Sequence, residues 1–458
     1  MSLSPSSLLL DETLRVVGRR YRLPALATAF PDVSKASPST ALAIAIEKAR
    51  VSLARGDVPE TALKNFFIES LAQMIHDAMR SEYGDPAFQA MVLRHGAAQV
   101  REYALLLAHA DQERREILAA VNAIAHPAKQ QRIPLGQQRE ALAQLHASAS
   151  SAYWAELPAI AQRLLAMPQI ADHASLERGL TRLLDGPALG HLQRLDVLAS
   201  DDLVRRYQSL WDRNGPRSGS ATAVAQGSAS QQRGAAVEAL ATQALEALAE
   251  RLNKAEGAVA PYRVVTSMRV PASIPGNSER AKTEWDVVLL RKAKGFNETP
   301  VWDICLFVEA KASVDAATTD LPRLLRGLRL LAHAEDGVVY SFKTQQGIVS
   351  LRGASLRALT TDEADLAKMV LYCCDAPAEE ALRLLSAASR MQLLSAQACL
   401  EFASALAERQ AADAQSLEPV WQQLLEAPQW GAVLNQYQML HKVRELMVHA
   451  DDLLLAAR

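Results

Sequence analysis

Two apolar runs decide how this chain is read: Trp285-Asp286-Val287-Val288-Leu289-Leu290 and, further on, Cys305-Leu306-Phe307-Val308-Glu309-Ala310-Lys311-Ala312. Both are short and rich in Val, Leu and aromatic residues, which predicts strands. Both carry an acid inside the apolar run. Successive strand residues alternate faces, so Glu309 and Lys311 share one face and Ala310 takes the other. Such charges are costly to bury unless they pair with each other or hold a metal. Asp286 and Glu309 stand 23 positions apart, enough for two neighbouring strands and a turn.

The flanking sequence extends this pattern to an α-β-β-β-α-β order. A helix is predicted over 233–253 and strands over Tyr262–Val270, Thr283–Leu290 and Trp302–Ala310. A second helix follows at 319–333, then strands at Gly337–Phe342 and Gly347–Leu351. At 100° per residue, Glu238 flanks the apolar face of the first helix, while Glu246 and Glu250 point away. On the second helix the leucines from Leu321 to Leu331 gather on one face, and Arg323, Arg326 and Arg329 on the other. Asp303 shares the Glu309 face but lies ~20 Å away along the strand, and reads as a strand-start acid.

The ordered residues Asp286, Glu309 and Lys311, read as D…E-x-K, resemble the PD-(D/E)XK nuclease superfamily, the fold of restriction endonucleases and Holliday-junction resolvases. Upstream, Arg233-Gly234-Ala235-Ala236-Val237-Glu238 resembles the R-G-x-x-x-E start of the first helix in resolvase-like members. The residue before Asp286 is Trp285 where many members have Pro. The resemblance covers about residues 231–350. It implies a metal-dependent endonuclease with Glu238, Asp286, Glu309 and Lys311 as the catalytic set. It also implies Mg²⁺ or Mn²⁺ held by Asp286, Glu309 and the Ala310 carbonyl, and Lys311 orienting the attacking water. Two carboxylates suit these hard cations. The competing readings are a solvent-facing strand acid at Asp286 and a structural ion pair between Glu309 and Lys311.

Arg323, Arg326, Arg329, Arg291 and Lys292 are candidate contacts to a nucleic-acid backbone, DNA being the favoured partner, although solvated charged faces look the same in sequence. Residues 231–360 hold 17 Lys+Arg against 14 Asp+Glu, whereas the remainder is acidic, 32 against 37. The contrast is in the direction that a nucleic-acid face needs.

Around this core the expected fold class is multidomain, α plus α/β, with four segments. Residues 1–212 read as an irregular helical domain, 213–231 as a flexible linker of Ser, Gly, Ala and Gln, 232–360 as the nuclease-like domain, and 361–458 as a helical C-terminal region. Trp421 and Trp430 are expected in the core of the last. The helical N-terminal segment is a candidate surface for a protein partner.

Composition narrows the class. The 458 residues are 49% apolar with a net charge of −2, which excludes a disordered chain and a strongly basic coat protein. Four cysteines without a C-x-x-C pair argue against a disulfide scaffold or a cysteine zinc site, and favour a reducing, cytoplasmic setting. The N-terminal stretch lacks a positive n-region, so no secretory signal is expected. No apolar run reaches ~18 residues, so no membrane span is expected. Walker A, H-E-x-x-H and G-x-S-x-G motifs are all absent. The alternative to an enzyme is a non-catalytic nuclease fold kept for nucleic-acid or protein binding on a helical scaffold.

Overall fold

β1 (Tyr262–Arg269), β2 (Glu284–Lys292) and β3 (Val301–Ala310) form an antiparallel meander that carries the two decisive runs. They belong to a seven-stranded mixed sheet in a computed structural model that describes residues 8–23, 36–171, 173–216, 219–256, 262–294, 300–377 and 383–458. The hairpin of β4 (Val339–Thr344) and β5 (Gly347–Arg352) touches β1 at Arg269 and runs parallel to the start of β3 at Val301 and Trp302. The end of β3 pairs instead with β6 (Val370–Cys374), parallel, and β6 in turn with β7 (Met447–His449). Glu309 lies opposite Tyr372 in the β3–β6 ladder. The sheet therefore reaches beyond 360, into the segment expected to be wholly helical. β6 is only five residues long and buried throughout, and periodicity does not separate such a run from a buried helix.

One face of the sheet presents Val287, Leu289, Leu306, Val308, Leu371 and Cys373. The long helix Ala221–Glu256 covers this face with Val237, Ala241, Leu245, Leu248 and Leu252, joined by Leu10, Leu14 and Leu453 from the helices Leu8–Val16 and Ala450–Ala457. Glu246 and Glu250 are exposed, as the helix geometry requires. The alternate residues of β2 and β3, Asp286, Val288, Phe307 and Glu309, belong to the opposite face. Trp285 packs against Phe307 in a tilted arrangement, with 4.1 Å between ring centroids. The helix Val314–Leu331, capped by Ser313, packs Gly327 against Lys282 and Trp285. A Cβ at Gly327 would stand 2.7 Å from the Lys282 carbonyl oxygen, so only glycine permits this approach.

By its internal contacts the chain forms two compact units. The first joins 1–74, 217–394 and 414–458 and contains the sheet; Trp421 and Trp430 are buried in it. The second joins 75–216 and 395–413 and is helical, with Leu142, Trp154, Leu157, Leu164, Leu180, Leu192 and Tyr207 in its core. These units do not follow the sequence boundaries at 212, 231 and 360. A 3.6-residue period shows that a helix buries a stripe, but not which element receives it.

The linker is a second difference. Residues 217–218 lie outside the described residues, but from Ala221 onward the stretch is the first part of the long helix. Alanine and glutamine propagate a helix readily once the packed portion nucleates it. No residue from Ala221 to Ala236 is buried; Val237 is the first that is. This overhang buries no side chain, so a nonspecific protease should cut between Ser220 and Ala236 before it cuts either packed unit. Mass mapping of the first fragments checks this, and early cuts confined to other segments would contradict it. Among the described residues no helix is long and apolar enough to cross a membrane, and all four cysteines are free.

Candidate active site

The β2–β3 register brings Asp286 to Glu309 across the ladder, at the start of one strand and the end of the other. Glu309 is completely buried. The Asp286 N–H donates to Glu309 Oε1 at 3.4 Å, and the Ala310 N–H donates to Asp286 Oδ2 at 2.9 Å. Each carboxylate is thus tied to the other's strand. Lys311 Nζ stands 3.4 Å from Glu309 Oε2 and 3.8 Å from Asp286 Oδ2. The two carboxyl oxygens are therefore no further apart than those two lengths laid end to end. Asp286, Glu309 and Lys311 converge.

Three residues that sequence reading did not single out complete the cluster. Lys282, only 2% exposed, forms an ion pair with Glu309 Oε2 and lies 3.6 Å from Asp286 Oδ1. Asp320, from the helix Val314–Leu331, holds Lys311 Nζ at 3.4 Å. Tyr372 on β6 donates its hydroxyl to Asp320 Oδ2 at 3.3 Å. Lys282 precedes its strand by two residues and reads as a solvated turn charge. Asp320 and Tyr372 reach the site from a helix and a strand whose packing no local pattern reports.

The electrostatics follow from burial. Desolvation pushes the Glu309 carboxyl well above the usual carboxylate range, and the neighbouring Asp286 charge adds to this; Lys282 and Lys311 pull it back. For Lys311, burial favours the neutral amine, but Glu309, Asp286 and Asp320 together outweigh it and raise its pKa. Burial, and next Asp320, raise the Tyr372 phenol, so it stays a donor.

Glu238 is half-buried on the long helix. Its pKa is raised by burial first and by Asp286 second, so it feels the cluster, yet it makes no ion pair with Lys282 or Lys311. Arg323, Arg326 and Arg329 are exposed on their helix. Arg323 pairs with Asp320 at 3.4 Å and Arg326 donates to the Arg280 carbonyl. Arg291 and Lys292 lie at the other end of β2 from Asp286, roughly 16–20 Å along the strand. Arg291 pairs there with Glu256. Asp303 is held by a two-pronged pair with Arg352, a structural role.

Two carboxylates at one strand end give oxygen ligands, and Mg²⁺ is commonly held by one or two carboxylates plus waters and substrate phosphates. Glu309 is buried beside a like charge, a setting a cation relieves. Among the described residues no group of three or more His, Cys, Asp or Glu side chains is arranged to hold a metal by itself. Asp286 and Glu309 thus offer carboxylate oxygens that suit a hard cation taking its remaining ligands from other groups.

No protein-family model matches the chain, and no curated protein or solved structure matches it either.

Proposed function

We propose that this protein is a metal-dependent nuclease of the PD-(D/E)XK type that hydrolyses phosphodiester bonds, with DNA as the favoured substrate. The observation that carries this reading is Glu309, a fully buried carboxylate facing Asp286 and Lys311 at the ends of two neighbouring strands. Asp286, Glu309 and the Ala310 carbonyl would hold Mg²⁺ or Mn²⁺, which supplies charge neutralisation at the phosphate and a more acidic water. Lys311, steadied by Asp320, orients the attacking water and stabilises charge as it develops on the phosphate. Glu238, half-buried on the long helix, lies within electrostatic reach of Asp286 at the edge of the site. Arg323, Arg326 and Arg329 offer an exposed basic face to the nucleic-acid backbone, and Arg291 and Lys292 lie too far along β2 to touch the same phosphate. The helical unit provides a surface for choosing substrate or a protein partner.

One observation favours a second reading, a nuclease fold kept for binding. Lys282 and Lys311 already neutralise the two carboxylates, as a structural ion cluster would. Incubation with plasmid, linear, single-stranded and branched DNA, and with RNA, in Mg²⁺, Mn²⁺ or EDTA separates the two. Cleavage that EDTA abolishes supports the nuclease. Binding without cleavage under every condition supports the module.

A further inference from the structure

The most deeply placed cation of the cluster is Lys282. Its side chain is 2% exposed and meets Glu309, which is 0% exposed, whereas Lys311 and Asp286 face solvent more, at 15% and 24%. Lys282 is fixed along its whole length. Its N–H donates to the Arg323 carbonyl at 3.0 Å, Gly327 packs against its carbonyl and Cβ, and its ammonium stands 6.0 Å from the centre of the Trp285 ring. The same ammonium reaches Asp286 Oδ1 at 3.6 Å, so it touches both carboxylates assigned above to the divalent cation. In the surrounding group Glu238, Asp286, Glu309 and Asp320 face Lys282, Lys311 and Arg323. Charge is close to balance before any metal enters. A divalent cation approaching the free protein therefore meets little net attraction, and a phosphodiester would supply the missing negative charge.

We propose that Lys282 is a positioning residue, the resident cation of this site. It holds Glu309 towards Asp286 in the metal-free protein, and it makes divalent-cation binding weak until a nucleic-acid phosphate is present. The first half depends only on the ion cluster; the second rests on the nuclease reading. Because coupling between two ligands is reciprocal, metal and nucleic acid then strengthen each other's binding.

Two measurements on the full chain test this. The first is a double-mutant cycle in EDTA with Lys282→Met, Glu309→Gln and the double variant, read by urea denaturation. Each single change removes one partner of the buried pair, leaving the other a more distant counter-charge, and should lower the midpoint, and the double change should recover most of that loss. If neither single variant folds, a folded double variant carries the same meaning. Additive losses, or a double variant that recovers nothing, overturn the resident-cation role.

The second measurement is Mn²⁺ affinity by electron paramagnetic resonance, with and without a phosphorothioate DNA duplex. The wild type should bind Mn²⁺ more tightly with the duplex. Lys282→Met should bind it about 10-fold or more tightly without DNA, within the range that residues surrounding metal ligands command, and should lose most of the DNA-dependent gain. A purely structural lysine would not produce this shift, and unchanged or weaker Mn²⁺ binding by Lys282→Met overturns the second half. If the wild type binds no Mn²⁺ in either condition, the nuclease reading fails, and the EDTA cycle still decides whether Lys282 holds Glu309.

Discussion

Lys311→Ala is expected to slow metal-dependent cleavage by about 10²–10³-fold, the scale of losing one preorganised donor at a developing charge. Nucleic-acid affinity should stay close to wild type. Lys311 is largely buried and already shared among Glu309, Asp286 and Asp320, so its charge adds little to the attraction felt by a distant phosphate. Asp286→Ala should also stop cleavage, through the lost carboxylate. It removes negative charge near the phosphate as well, so binding measured in EDTA should equal or exceed that of wild type. Single-turnover rates together with a fluorescence titration separate the two variants. If both retain full metal-dependent activity, the chemistry lies elsewhere in the chain.

Glu309→Ala should destabilise the sheet-bearing unit by about 3–5 kcal/mol, the usual consequence of removing one partner from a buried ion pair. Lys282 would remain buried with only Asp286, at 3.6 Å, to balance it. Lys311 would suffer less, because it keeps Asp286 and Asp320 and is nearer solvent. Urea unfolding followed by tryptophan fluorescence reads this directly, since buried Trp285 packs within the same cluster. A change below about 1 kcal/mol, the level typical of exposed pairs, would show that the pair is not desolvated as the packing indicates. This loss is independent of any catalytic role, so it should appear in EDTA and without nucleic acid.

These expectations depend on features that were unequally visible in the sequence. The meander was legible: strands read over Tyr262–Val270, Thr283–Leu290 and Trp302–Ala310 stand at Tyr262–Arg269, Glu284–Lys292 and Val301–Ala310. Apolar runs of this length, bounded by proline or charged turns, leave few alternatives. The pairing of faces was legible as well, because strand alternation is a property of the backbone and fixes Glu309 and Lys311 on one side. The leucine and arginine faces of the helix Val314–Leu331 follow from its 3.6-residue period alone.

What the sequence determined by itself, then, is local: where strands and helices form, which face each acid takes, and that Asp286, Glu309 and Lys311 can meet. The tertiary structure decided the rest. It placed β6 and β7 on the sheet and thereby brought Tyr372 beside Asp320. It turned the alanine-rich stretch from Ala221 into an overhanging helix, grouped the N-terminal residues to 74 with the sheet, and separated Arg291 from the cluster along β2. Above all it buried Lys282 against Glu309. The physical reason is common to all of these. Periodicity and propensity act over a few residues, whereas the burial of a charge, or of a five-residue strand, depends on partners that come from distant parts of the chain.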